Sequence, residues 1–215
     1  MDELITRIRG LHTALVCDAM DKLGIPCRSM DYRIRPTYPG AVVAGRALTV
    51  LEAPVYRRPE DPYKVLFDAF DHIKPGTVLV ISSGGEYTSG VWGELVSIAA
   101  RARGADGAVI DGLTRDITGI TAMQFPVFAR GFTPLDSEGR CEAIEWGTPV
   151  RCGGVIVNPG DVVFGDVMGV VLIPAEHLAQ VVAFAEEKKT GEGEVREHLE
   201  RGEHLREVFA RFHIL

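Results

Sequence analysis

Two short apolar runs ending in turn residues, VLVISSGG (Val78–Gly85) and GAVIDG (Gly107–Gly112), flank a stretch with helical spacing, and no other feature constrains the chain as much. Such a pattern is a strand–helix–strand unit, and its two strands must lie parallel. Parallel neighbours sit about 4.8 Å apart, so the loops leaving their carboxyl ends are neighbours too. Glu94, beside Gly93 at the helix start, follows the first strand, and Arg115–Asp116 follow the second. Three charged residues distant in sequence therefore converge at the edge where open α/β sheets bind ligands. The stretch from Val91 to Asp116 reads as a small-molecule site.

Residues 3–23 place apolar side chains at helical spacing (Leu4, Ile5, Ile8, Leu11, Leu15, Val16) and stop at Gly24, which predicts one capped helix. The proline-rich IPCRSMDYRIRPTYPG reads as a connecting loop. AVVAGRALTVLEAPV is a strand with a bend or bulge at Gly45, and YKVLFDAFDHI is a short amphipathic helix. FPVFARG reads as the next parallel strand. From Cys141 to Pro174, short strands punctuated by Pro-Gly, Gly-Asp and Gly-Gly predict an antiparallel or barrel-like sheet. From Ala175 the pattern is helical and highly charged, broken by Gly191, Gly193 and Gly202. With no internal repeat or linker, residues 1–215 read as a single domain whose residues 175–215 form a helical extension.

The net charge of −7 and the absence of a basic cluster argue against a nucleic-acid partner. Cys17, Cys27, Cys141 and Cys152 form no CxxC pair, which argues against a structural zinc site or a redox dithiol. The first twenty residues begin acidic and hold no long apolar core, so they do not read as a signal peptide. No run approaches the roughly 18 apolar residues of a membrane span. A cytoplasmic protein without a membrane partner is the expectation.

The Ser82–Gly90 loop, SSGGEYTSG, reads either as a plain flexible loop or as backbone amides that cradle a carboxylate; it matches neither GxxxxGK[ST] nor GxGxxG. Arg115 and Asp116 also carry two readings. Asp116 suits a helix cap, with Arg115 pairing a surface acid. Alternatively, Arg115 holds a substrate carboxylate in bidentate fashion while Asp116, a hard ligand, takes Mg²⁺ or Mn²⁺. The six histidines form no ligand motif, and Gly160–Asp161 and Gly165–Asp166 read as turns. None of the five lysines sits in an apolar strand end, which disfavours Schiff-base chemistry.

TALVCDAMDKLG, VVAGRALTV, WGEL, GAVIDGLTRD, FPVFARG and PGDVVFGDVMGVVLIP together resemble the RraA-like family, which includes the 4-hydroxy-4-methyl-2-oxoglutarate/4-carboxy-4-hydroxy-2-oxoadipate aldolases. The aldolases carry an acidic residue, twenty intervening positions and Arg-Asp; Glu94 and Arg115–Asp116 reproduce that spacing with Glu in place of the usual Asp. The resemblance implies an αββα sandwich of the swivelling β/β/α type, with the helical C-terminal extension as an oligomer contact in a homotrimer or homohexamer. It implies that Gly93, Glu94, Leu95 and Val96 line the pyruvoyl carboxylate and that Arg115 holds the substrate. Asp116 would bind Mg²⁺ or Mn²⁺, the ion acting as Lewis acid on the keto oxygen, and Glu94 would relay the proton taken from the C4 hydroxyl. An acid of a neighbouring subunit's tail, Glu192 or Glu194, would complete the site. The implied activity is metal-dependent cleavage of a 4-hydroxy-2-oxo dicarboxylic acid to pyruvate, with oxaloacetate decarboxylation on the side. The rival reading is a non-catalytic RraA-type protein that binds and inhibits ribonuclease E; those relatives tend to be shorter and to lack the full motif. The methyltransferase name attached to the family finds no glycine-rich cofactor loop here.

Overall fold

Val78 to Ser82 and Ala105 to Thr114 do form neighbouring parallel strands, and the chain is built outward from them. The structure, a computed structural model, describes residues 2–85 and 87–214. The first elements are α1 (Glu3–Ile8), α2 (Thr13–Lys22), β1 (Arg28–Ser29), β2 (Arg35–Pro36), β3 (Val43–Pro54) and α3 (Lys64–Phe70). The central unit comprises β4 (Thr77–Ser82), β5 (Gly90–Trp92), α4 (Glu94–Ala102), β6 (Ala105–Thr114), α5 (Ile117–Ala122) and β7 (Val127–Phe132). Five strands follow, β8 (Cys141–Trp146), β9 (Val150–Cys152), β10 (Val155–Val157), β11 (Val162–Asp166) and β12 (Gly169–Ile173), then α6 (Leu178–Glu200) and α7 (Leu205–Phe212).

The main sheet runs β1-β12-β11-β3-β4-β6-β7-β2, with β5 beside β6 and β8 beside β3. Strands β3, β4, β6 and β7 are parallel, whereas β11, β12, β1, β2 and β8 pair antiparallel. The sheet curls so that β2 at one end reaches the turn between β11 and β12, where Arg35 Nη1 donates to the carbonyls of Val167 (3.3 Å) and Met168 (2.5 Å). Alternation along the strands then divides the apolar side chains between three cores. Val78, Val80, Val109, Phe128 and Val163 fill the inside of the curl. Leu79, Ile81 and Ile110 pack outward against α3, α4 and α5. Val162, Phe164, Val171 and Ile173 pack on the other side against α1, α2 and α6. The result is the expected helix–sheet–sheet–helix sandwich with a C-terminal helix.

Several local expectations are corrected. The helix predicted over residues 3–23 is two helices broken at Gly10, because the carboxylate of Asp166 caps the second, accepting from Thr13 N–H (2.9 Å) and Oγ1 (2.8 Å). The proline-rich loop contains β1 and β2, which pair with β12 and β7. Gly45 marks no bulge; it is needed because a Cβ there would come within 2.4 Å of the Gly76 carbonyl oxygen. The irregularity of β3 lies between Leu51 and Glu52, in its pairing with β8. Gly191 and Gly193 do not break α6, whose packing outweighs their roughly 1 kcal/mol of lost helix propensity each. Only Gly202, in the left-handed region at φ 86°, follows the helix end. Among the described residues, no helix is long and apolar enough to cross a membrane.

Candidate active site

The carboxyl ends of β5 and β6 carry the three predicted charges. Arg115 is tethered through its backbone N–H to the Trp92 carbonyl (2.9 Å), which Thr114 Oγ1 also reaches (3.0 Å). Trp92 Nε1 donates to Ser97 Oγ (2.7 Å), and Ser97 Oγ donates to the Gly93 carbonyl (2.8 Å), fixing β5 to the first turn of α4. Asp116 stands in the left-handed region (φ 57°, ψ 36°), a conformation that costs a non-glycine residue about 1–2 kcal/mol.

Asp116 does not cap α5, the helix it precedes. Its Oδ2 instead accepts from the Glu94 N–H at the start of α4 (3.2 Å) and from Arg115 Nε (3.2 Å). Arg115 Nη1 also pairs with Asp136 Oδ2 at 3.0 Å. The hydrogen bond that Arg115 donates to Asp116, with the charge of Asp136, holds the guanidinium above its ordinary pKa. Two glycines allow this crowding by close approach: a Cβ at Gly93 would lie 2.6 Å from Asp116 Oδ2, and one at Gly119 would lie 2.2 Å from the Glu94 carboxyl carbon. The cap-and-pair reading thus holds in altered form, since Arg115 does pair with acids while Asp116 caps α4 rather than α5.

These groups form the rim of a cavity of about 430 Å³. Gly93, Glu94, Leu95, Val96, Arg115 and Asp116, all predicted as site residues, line it together. Of the described part of the Ser82–Gly90 loop, only Gly90 reaches it; the Ser82 and Ser83 hydroxyls donate to the carbonyls of Arg151 and Asp111 (both 2.7 Å), and Glu86 lies outside the described residues. Glu192 pairs with Lys188 within α6 at 3.6 Å and is not part of this chain's own cavity wall.

Sequence reasoning missed the inner wall. Glu52 of β3 and Glu142 of β8 both line the cavity and are 4% and 7% exposed. Glu142 Oε2 accepts from the Tyr63 N–H (3.2 Å), while Glu142 Oε1 and Glu52 Oε2 are buried without a hydrogen-bond partner among the described residues. Burial pushes the Glu52 carboxyl up to about 8, opposed by a hydrogen bond from Cys141 and reinforced by the charge of Glu142. A lone glutamate in the apolar run LTVLEAPV was the available signal.

A second arginine–carboxylate cluster starts lower on β6. Arg130 Nε bonds Asp111 Oδ1, and its Nη1 pairs with Asp31 Oδ2 at 3.0 Å. Asp111 also accepts from Gly153 N–H (2.6 Å) and Tyr87 OH (3.2 Å), and the guanidinium lies 5.2 Å from the Tyr87 ring centroid.

The rim fits a hard divalent cation in one specific manner. Among the described residues, no three His, Cys, Asp or Glu side chains converge as a cage. Mg²⁺ needs no such cage, since one or two carboxylates with waters and substrate oxygens suffice. Asp116 supplies an oxygen donor of that kind at the cavity rim.

A family model described as RraA-like, Aldolase/RraA, matches residues 13–172. A protein of Halalkalibacterium halodurans, provisionally named a 4-hydroxy-4-methyl-2-oxoglutarate aldolase, is 34% identical over 91% of this chain and 87% of its own length. An uncharacterised protein of Methanocaldococcus jannaschii is 43% identical over a shorter stretch, 58% of this chain and 59% of that protein. The crystal structure of Streptomyces coelicolor RraAS2, described as an unusual member of the RNase ES inhibitor RraA protein family, aligns with a TM-score of 0.81 at 28% identity, covering 91% of this chain and 96% of that one.

Proposed function

The chain belongs to the RraA-like (Aldolase/RraA) family, and from that premise we propose that it is a divalent-metal-dependent aldolase releasing pyruvate from a 4-hydroxy-2-oxo acid. The relative's name makes dicarboxylic 4-hydroxy-2-oxo acids the first compounds to test. The observation that carries the reading is the convergence of Glu94, Arg115 and Asp116 on one cavity at the N-terminus of α4.

Asp116, with waters filling the remaining positions, would hold Mg²⁺ or Mn²⁺, which when bound polarises the substrate's keto oxygen. The first-turn amides of Leu95 and Val96 have no intrahelical acceptor and face an anion favourably, so they and Gly93 bind and orient the 2-oxo acid carboxylate. Arg115 lies where negative charge develops on the keto oxygen as the C3–C4 bond breaks. Glu94 takes the C4 hydroxyl proton, directly or through a water. The C3–C4 electron pair moves onto the pyruvoyl half, C4 leaves as a carbonyl, and a proton added at C3 completes pyruvate. Decarboxylation of oxaloacetate develops the same charge at the same oxygen and is expected as a side activity.

Beside the cavity, Phe67, Leu95 and Ile98 are exposed apolar side chains, which assembly as a homotrimer or homohexamer would cover, bringing Glu192 or Glu194 of a neighbour within reach of the rim. The second reading, a ribonuclease E-binding protein, draws on the likeness to RraAS2. Purified protein with Mg²⁺ should release pyruvate from 4-hydroxy-4-methyl-2-oxoglutarate or oxaloacetate, and EDTA should abolish it. Pyruvate release that survives both EDTA and Asp116→Ala would sink the metal assignment. No release from any 2-oxo acid, with capture of ribonuclease E in a pull-down, would favour the second reading.

A further inference from the structure

The cavity is unevenly charged. Five carboxylates line it (Glu52, Glu94, Asp116, Asp136 and Glu142) against one cation among the described lining residues, Arg115. Two of the five already engage that cation, Asp116 at 3.2 Å and Asp136 at 3.0 Å. The rim can still accept one carboxylate, through the amides of α4 and a divalent ion at Asp116.

The inner wall has no such provision. Glu52 and Glu142 come from β3 and β8, paired through the irregular register where Glu52 faces Ala143 and Ala53 faces Glu142. Each is buried with one carboxylate oxygen unpartnered among the described residues, and Tyr63, which precedes α3, with Leu66 and Phe67 of α3 supplies the surface beside them. A ligand bound by its 2-oxo acid end directs its far end along this wall. A second carboxylate there would meet the Glu142 carboxylate and apolar side chains with no counter-charge among the described residues, in a low-dielectric setting that strengthens repulsion, while Glu52 beside it holds its proton at neutral pH. An uncharged tail meets no such penalty, and α3 offers it apolar contact.

We propose that the cavity selects 2-oxo acids that carry a single carboxylate and an uncharged tail, with Glu142 as the residue that rejects a second carboxylate. The inference rests on the 2-oxo acid reading of the rim and narrows it away from the dicarboxylic compounds that the relative's name favours.

The test compares ligands of equal carbon count that differ by a methyl or a carboxylate at the far end. Calorimetric titration of the whole protein with Mg²⁺ should find 2-oxopentanoate bound at least about tenfold tighter than 2-oxoglutarate, the scale a misplaced charge imposes on binding. Glu142→Gln, isosteric and uncharged, should bring the two affinities to within about threefold, and if that variant does not fold, the wild-type ratio should widen as pH rises through about 8, where Glu52 loses its proton. Pyruvate release should follow the same order for 4-hydroxy-2-oxopentanoate and 4-hydroxy-2-oxoglutarate. Equal affinity, tighter binding of 2-oxoglutarate, or an unchanged ratio in a folded glutamine variant overturns the proposal. Failure of both ligands to bind overturns it together with the rim reading. The expected binding order with no pyruvate from either hydroxy acid removes the aldolase reading alone and leaves the tail rule standing.

Discussion

Strand β6 ends in two arginine–carboxylate clusters only four residues apart, and they differ in saturation. Around Arg130, whose side chain is 10% exposed, Asp111 also accepts from a backbone amide and a tyrosine hydroxyl, Asp31 pairs with Arg33, and the guanidinium lies against a ring face, so the group has little left to offer a ligand. Around Arg115, 33% exposed, the partners Asp116 and Asp136 are 38% and 46% exposed and stand on an open cavity. Similar residue types on one strand thus serve different ends. The closed cluster ties β6 and β7 to the 31–33 segment and to Gly153, and the open one keeps capacity for a substrate. Arg130→Ala would leave Asp111 without its charge partner in a buried setting, while Asp31 keeps Arg33 at 2.6 Å, and should cost about 3 kcal/mol or more in urea unfolding. Arg115→Ala should cost less than about 1 kcal/mol, as exposed pairs do, yet lower pyruvate release sharply. Equal stability losses would erase the distinction.

Asp116→Asn sharpens the same contrast within the open cluster. Asparagine tolerates the left-handed backbone and still accepts from the Glu94 N–H, so stability should stay within about 0.5 kcal/mol. Losing the charge should reduce kcat/KM by about 100-fold or more. Asp111→Asn should behave in the opposite sense, lowering the melting temperature clearly. An Asp116→Asn enzyme at full activity would show that the carboxylate serves only as a cap for α4.

Glu52 and Glu142 form a third arrangement, buried like the Arg130 cluster but without an arginine. The Glu52 carboxyl titrates near 8 in the folded protein against about 4.5 when unfolded, so the folded state holds the extra proton between those values. Stability from this group is therefore intact below the lower value and declines as pH rises through the upper one, with a slope of up to about 1.4 kcal/mol per pH unit. Glu142 and Cys141 face it from β8 and shape the same transition. Glu52→Gln should flatten this part of the pH–stability curve and be the more stable protein above pH about 8. Parallel curves for variant and wild type would mean that Glu52 is ionised in the folded protein throughout.

The parallel unit and the rim were legible because they depend on local order, an apolar strand, a helical spacing and a second apolar strand, although Glu94 leaves from β5, a three-residue strand beside β6 that the pattern did not show. The inner wall was not, since Glu52 and Glu142 meet through antiparallel pairing of strands ninety residues apart with a shifted register. Asp136 reaches Arg115 from the loop after β7, which carries no periodic signal. The break between α1 and α2 is set by Asp166, 153 residues from the Thr13 it caps. What sequence spacing conveyed was the order of elements; what it withheld were contacts made by long-range pairing, where side-chain roles are decided by burial.

The finest test lies at Gly119, where the rim depends on a missing side chain. Its backbone lies against the Glu94 carboxylate, so closely that a Cβ would sit 2.2 Å from the carboxyl carbon and 2.4 Å from Oε1. Alanine is otherwise welcome there, because Gly119 is inside α5 and its φ is not in the left-handed region, and glycine costs a helix about 1 kcal/mol relative to alanine. The obstructing atoms belong to the end of a flexible, half-buried side chain, which can swing aside without moving the backbone. Gly119→Ala should therefore leave the melting temperature unchanged or raise it slightly, while displacing Glu94 from the position in which it receives the C4 hydroxyl proton. A fall in kcat of about tenfold or less, with KM nearly constant, is the expected signature of a misplaced proton acceptor. A loss confined to KM would instead assign Glu94 to substrate binding, and an unchanged enzyme would remove its side chain from the chemistry altogether.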